Sequence, residues 1–319
     1  MSHYKVAWLQ IHFCVFLWGF TAVIGRLITL PAMALVLWRM LLVALVLLCL
    51  PRVWRGLSRL SRRHLLAFSG IGMLVALHWI SFYGAVKLAN ASVAATCMAT
   101  LPIFMCVLEP LITGKRFAPR ELLLGLLILP GMAFVVGGTP APMNAGIAAG
   151  VLSALLAALF SAYNKRLILC TDSLTATALE MLSGGLTVFT IIAALSLLPQ
   201  AENFDSAVFL TAAQLLQAPS SADLFWLLVL ALICTLLPFA LSLKAMRHIS
   251  AYAAALAVNL EPLYAMVLAV LILDEQRQVD SSFYLGAAIV LLVVFIYPRL
   301  SGSEQEQAAI KALARNQLT

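Results

Sequence analysis

The sequence predicts an all-α polytopic membrane protein of ten transmembrane helices, arranged as two inverted five-helix repeats. Three observations carry this. First, 63% of the 319 residues are apolar and 10% are charged, far from the balance of a soluble domain, so the solvent must be lipid. Second, Lys and Arg alternate between the ends of the apolar runs. Third, the second half of the chain repeats the first at an offset of 160 residues.

The expected spans are 7–25, 32–50, 66–86, 91–113, 119–138, 145–164, 174–198, 224–243, 250–273 and 281–298. Each is close to the roughly 20 apolar residues that a bilayer crossing needs. The first run starts near Ala7 and is too long for a signal-peptide core. Connections are short except 199–223, where a short interfacial helix is expected. With the N-terminus inside, cytoplasmic segments hold sixteen Lys and Arg: Lys5, Arg52, Arg55, Arg59, Arg62, Arg63, Lys115, Arg116, Arg120, Lys165, Arg166, Lys244, Arg247, Arg299, Lys311 and Arg315. Outer segments hold three, Arg26, Lys87 and Arg277, and Arg39 lies within a span. This asymmetry predicts both termini in the cytoplasm. It also accounts for the net charge of +7 without nucleic acid as a partner.

The repeat sets Pro102 against Pro262, Phe104 against Tyr264, Val107 against Val267 and Ile112 against Ile272. Five spans per half is an odd number, so the second copy must be inverted, as in many secondary transporters. Residues 1–140 form the first repeat, 141–300 the second, and 301–319 a cytoplasmic tail. The halves are not equivalent: Leu101 stands where the second half has Glu261.

Charged residues inside spans are costly and mark function. Glu261 lies about twelve residues into span 9, beside Pro262, which cannot donate a backbone hydrogen bond and so frees the carbonyl of Val258. It is a candidate substrate or proton contact; the bland alternative is a carboxylic acid hydrogen-bonded to backbone. Asn259, two residues earlier, offers donors and acceptors, and Tyr264 in the same span is a further candidate contact. Arg39 in span 2 cannot shed its charge and needs an anion. Glu180 occupies the matching position in span 7, so the two are expected to face the interior and approach each other, either as a locked pair or as part of a site. Glu109, near Lys115 and Arg116, is expected to snorkel to the cytoplasmic surface. His78, Trp79, Phe82 and Tyr83 in span 3 share adjoining faces and could wall a cavity with Trp18, or merely pack. Gly146 and Gly150 form a GxxxG for close helix packing. The six cysteines have no CxxC spacing and read as free thiols, with no metal site and no cofactor. The motifs HExxH, GxSxG and GxxxxGK[ST] are missing, which argues against an enzyme and against ATP-driven pumping.

Several stretches resemble the EamA family of the drug/metabolite transporter superfamily. These are Trp18-Gly19 followed by Arg26, Trp38-Arg39-Met40, Phe82-Tyr83-Gly84-Ala85 through Asn90-Ala91-Ser92, and Leu260-Glu261-Pro262 through Leu273-Asp274-Glu275. The first repeat departs from the pattern by ending in Thr113-Gly114-Lys115, where the family often has an acidic residue. The resemblance implies a secondary carrier of small metabolites in the cell inner membrane, exporting amino acids or related compounds by alternating access. It also implies a cavity lined by spans 1, 3, 4, 6, 8 and 9. The alternative is a membrane-embedded sensor or enzyme on a carrier-like fold. The expected partners are a small-molecule substrate and the lipid bilayer, with the protein a monomer or homodimer.

Overall fold

The computed structural model describes residues 3–114, 116–117, 119–198, 205–211, 214, 219–258 and 260–293. No strand occurs among them. The helices are α1 (His3–Leu27), α2 (Ala32–Leu48), α3 (Pro51–Arg59), α4 (Arg62–Leu88), α5 (Ala91–Met98), α6 (Leu101–Thr113), α7 (Pro119–Leu126), α8 (Ile128–Gly137), α9 (Asn144–Leu167) and α10 (Ser173–Ser196). They continue as α11 (Ser221–Leu228), a π-helix (Val229–Leu236), α12 (Leu237–Ala245), α13 (Ala251–Val258), α14 (Glu261–Leu273) and α15 (Ser281–Val293).

Helix occupies each of the ten expected ranges, but fewer segments have the length of a crossing. Six do: Tyr4–Leu27, Arg62–Leu88, Ala91–Thr113, Ala141–Leu167, Ser173–Ser196 and Ser221–Ala245. A seventh is added if α2 and α3, bent by 92°, are counted together. The others are apolar but short, for local reasons. Span 5 is interrupted at Leu127 between α7 and α8, and span 9 breaks before α14. The tail beyond 293 and residues 199–204, 212–213 and 215–218 of the 199–223 connection lie outside the described residues, and the interfacial helix expected in that connection falls partly on them. The described part of that connection closes the start of α2, where the carbonyls of Ala207 and Val208 accept the otherwise orphan amides of Ala32 and Met33.

The two halves interlock. α4 packs on α9 and α10, α2 on α10, and α1 on α12 and α14. Gly146 and Gly150 bring α9 against Ala89 and Cys97, where a methyl group would leave no room. A smaller apolar cluster joins α8 and α15 through Ile128, Val135, Phe283 and Val290. All six cysteines are free thiols.

Spans 4 and 9 are the matched broken pair. Pro102 and Pro262 each stand in the first turn of the second half-helix, where a missing amide proton costs nothing. Each second half also ends in a left-handed residue, Gly114 in one and Asp274 in the other. Those two positions differ by 160, the offset of the repeat.

The pair is tied at both ends by carboxylates. Glu275 is 1% exposed and accepts the amides of Ala91 and Ser92 at 3.0 and 2.9 Å and the Ser92 hydroxyl at 2.8 Å. Glu109 is 2% exposed and accepts the amides of Ala251 and Tyr252 at 3.0 and 3.1 Å. Each acid satisfies orphan donors at the positive end of the other span. Because the start of each span meets the end of the other, spans 4 and 9 run antiparallel. Glu109 therefore does not snorkel beside Lys115 and Arg116 as its sequence neighbours suggest; it is buried against backbone 142 residues away.

Candidate functional site

A cavity opens between the halves. Its walls come from α1 (Trp18, Thr21), α4 (His78, Trp79, Phe82), spans 4 and 9 (Leu101, Val258, Glu261), α9 (Phe160, Asn164) and α12 (Phe239, Ser242). These are spans 1, 3, 4, 6, 8 and 9, to which α2 adds Arg39.

Arg39 is 3% exposed and held on three sides. Its Nε donates to Thr235 Oγ1 at 2.5 Å and its Nη1 to the Tyr83 hydroxyl at 2.7 Å. The guanidinium carbon lies 3.8 Å from the Trp79 ring centroid, a cation–π contact that desolvation strengthens. Three of its five N–H donors have no described protein acceptor. Thr235 reaches Arg39 because it sits in the π-helix, where its hydroxyl also donates to the Leu230 carbonyl five residues back at 2.6 Å. π-Turns are frequent at functional sites.

Glu261 opens α14 and borders the same cavity. It shares that cavity with Arg39, yet no ion pair closes between them; among the described residues the one ion pair is Arg52 with Asp172. A fixed cation and a carboxylate thus share one chamber without neutralising each other directly. Around them stands an aromatic wall. The His78 ring is 5.3 Å from Phe160, and Trp79 is 6.2 Å edge-to-face from Phe239. His78 Nδ1 lies 2.9 Å from the Ser153 carbonyl. The Ser153 hydroxyl lies 2.8 Å from the same nitrogen, so Ser153 holds this side of the ring and the ring's other nitrogen is not part of that contact.

The other predicted residues take different places. Tyr83 is fully buried behind Arg39 and orients it. Tyr264 packs on α1: its ring is 5.6 Å from Phe16, and its Cβ would lie 2.5 Å from any Cβ at position 19. Asn259 lies outside the described residues. Arg39 and Glu180 are both buried but do not pair. Glu180 receives the Asn164 amide at 3.3 Å instead, and it reaches the cavity only through that residue. Its Oε1 and the Oδ1 of Asn164 have no described partner. Repeat-matched positions need not touch: Arg39 is held by Thr235 and Tyr83, and Glu180 by Asn164. Thr235, Phe160, Phe239 and Asn164 escaped the sequence reading. Asn164 is the one with a visible signal, a lone amide late in an apolar span.

An all-helical fold with interlocked halves and a polar, aromatic-walled cavity deep among apolar helices defines the class of polytopic membrane transporters. Within it, the chain matches the EamA-like transporter family over residues 7–137 and 144–297, and it belongs to that family, part of the drug/metabolite transporter superfamily. The two matched blocks are its two halves. No curated protein matches it. A solved crystal structure, described only as that of a protein, aligns with 94% of this chain and 98% of its own length, at TM-score 0.64 and 15% identity. That likeness shows the fold.

Proposed function

We propose that this protein is a secondary carrier that exports amino acids or related small metabolites across the cell inner membrane by alternating access. The observation that carries the reading is the placement of Arg39 and Glu261 on one cavity with no ion pair between them. A zwitterion answers both needs. Its carboxylate would take the free donors of the guanidinium in a forked geometry, and its ammonium would face Glu261. Its side chain would lie against Trp18, Trp79, Phe160 and Phe239. The antiparallel, matched spans 4 and 9 support inverted repeats rocking about a central site. Both termini would lie in the cytoplasm, and Glu261 would couple proton movement to transport.

The test is counterflow in proteoliposomes loaded with a panel of amino acids, simple carboxylates and simple amines. The expected result is exchange of zwitterions and weak or no exchange of compounds bearing one charge. Transport of neutral or singly charged compounds alone would overturn the reading of the site.

A further inference from the structure

We propose that the groove between α3 and the α9–α10 connection binds the headgroup phosphate of an anionic phospholipid. Helix α3 leaves α2 at 92°, so it lies across the end of the bundle instead of running on out of it. Its sequence gives it three faces. Val53 is buried, and Gly56 packs so close to Thr175 that a Cβ would meet the hydroxyl at 2.1 Å. That face fixes the helix to α10. Trp54, on a second face, is 58% exposed, and its Nε1 donates to the Leu48 carbonyl at 2.7 Å. An exposed indole anchored to the last turn of an apolar span marks the membrane–water boundary. Arg52, Arg55 and Arg59, at spacings of three and four, share the third face, and all three line the groove.

The groove's lining holds a single acid, Asp172. Its carboxylate is committed to the Thr175 amide and hydroxyl and lies 3.6 Å from Arg52. Arg55 and Arg59 have no acidic partner among the described residues, nor do the adjacent Arg62 and Arg63. The opposite wall gains further positive charge from Arg247, which donates to the Thr171 carbonyl at 2.5 Å. Unpaired guanidiniums suit a phosphate. Their position one turn beyond an apolar span, beside the exposed apolar side chains of Leu50 and Trp54, suits a phosphate that carries acyl chains.

The test uses the full-length protein in neutral detergent, titrated with phosphatidylglycerol, phosphatidylcholine, glycerol phosphate or inorganic phosphate. Retained lipid is read by native mass spectrometry. Phosphatidylglycerol should be retained over phosphatidylcholine. Arg55→Gln/Arg59→Gln should weaken that retention about 25-fold, at roughly fivefold per arginine. Arg55→Lys/Arg59→Lys should restore most of it, and Arg277→Gln at the other end of the bundle should change nothing. Both groove arginines are exposed and unpaired, so folding should survive their replacement. Equal retention of the two lipids, or an unchanged double variant, would overturn the proposal. So would binding of glycerol phosphate or inorganic phosphate as tight as that of intact lipid, which would mark a site for soluble anions. Failure of amino-acid counterflow would leave this lipid site standing, because the groove is separate from the cavity.

Discussion

Replacing Glu109 by Gln tests the most economical feature of the fold, a carboxylate that closes a helix start from 142 residues away. Its two oxygens accept two buried amides, those of Ala251 and Tyr252. Gln has one acceptor oxygen, and its NH2 would face the second amide donor to donor. One charge-assisted bond, worth about 1.5–3 kcal/mol, is lost, and a buried N–H is left unsatisfied. The two effects overlap, so the net cost should be about 2–4 kcal/mol. At roughly 2–4 °C per kcal/mol for a chain of this size, the unfolding midpoint should fall by roughly 5–15 °C. The buried thiols of Cys14, Cys97, Cys106 and Cys234 provide the assay, because a thiol-reactive fluorophore reaches them only on unfolding. Glu275→Gln should behave alike. Asp274→Asn, next to it but exposed and in a conformation that Asn tolerates, should be nearly silent. A Glu109→Gln midpoint within about 2 °C of the parent would refute the argument that this buried acid closes span 9.

Four further outcomes are expected. Cysteine labelling introduced in the 199–223 connection should occur from outside the cell; labelling from the cytoplasm alone would contradict the charge-derived orientation. Glu261→Gln should still bind substrate in an equilibrium assay, more weakly for want of the ammonium's counter-charge, yet lose the dependence of transport on pH between about 5 and 8, since the amide keeps shape but cannot exchange a proton; a wild-type pH profile would remove Glu261 from coupling. Arg39→Lys should raise the KM for a zwitterion by about 10-fold or more, because an ammonium cannot span Thr235 and Tyr83 and still present a fork; equal KM values would separate Arg39 from substrate. Thr235→Val, which keeps shape and removes one acceptor, should cost about 1 kcal/mol or roughly fivefold in KM, and an unchanged KM would mean the π-turn does not position Arg39.

Much of the architecture was legible because lipid imposes long apolar runs, and Pro102 and Pro262, one repeat apart, fall at the breaks of spans 4 and 9, whereas Pro110 sits inside α6 without breaking it. Arg39, Glu261, His78, Trp79 and Trp18 stood out as polar or aromatic residues in apolar surroundings, and the structure sets them around one cavity. Pairing was less legible. Glu109 has basic residues close by in sequence, and nothing local reveals that its partners are two amides in the other half. Arg39 and Glu180 match in the repeat alignment, but inversion relates them by rotation and does not bring them together. Phe160 and Phe239 look like any packed aromatic until the helices that carry them are placed. Thr235 depends on a π-turn, which has no periodic signature in a uniformly apolar run.

That π-turn makes span 8 a helix with a phase error built into it. An i to i+5 turn holds one residue more than the α-helical path, and each residue is worth about 100° of rotation. Everything after Leu236 is therefore turned by about that angle relative to an uninterrupted helix, and that rotated part carries Phe239 and Ser242, which line the cavity. Deleting one residue from the lipid-facing side of the turn, such as the half-exposed Ile233, would leave an acceptable α-helix of the same hydrophobic character. It would also point a different set of side chains inward. In this span the number of residues, more than their identity, decides which chemistry faces the substrate, so a change of length here could alter selectivity where most point substitutions would not.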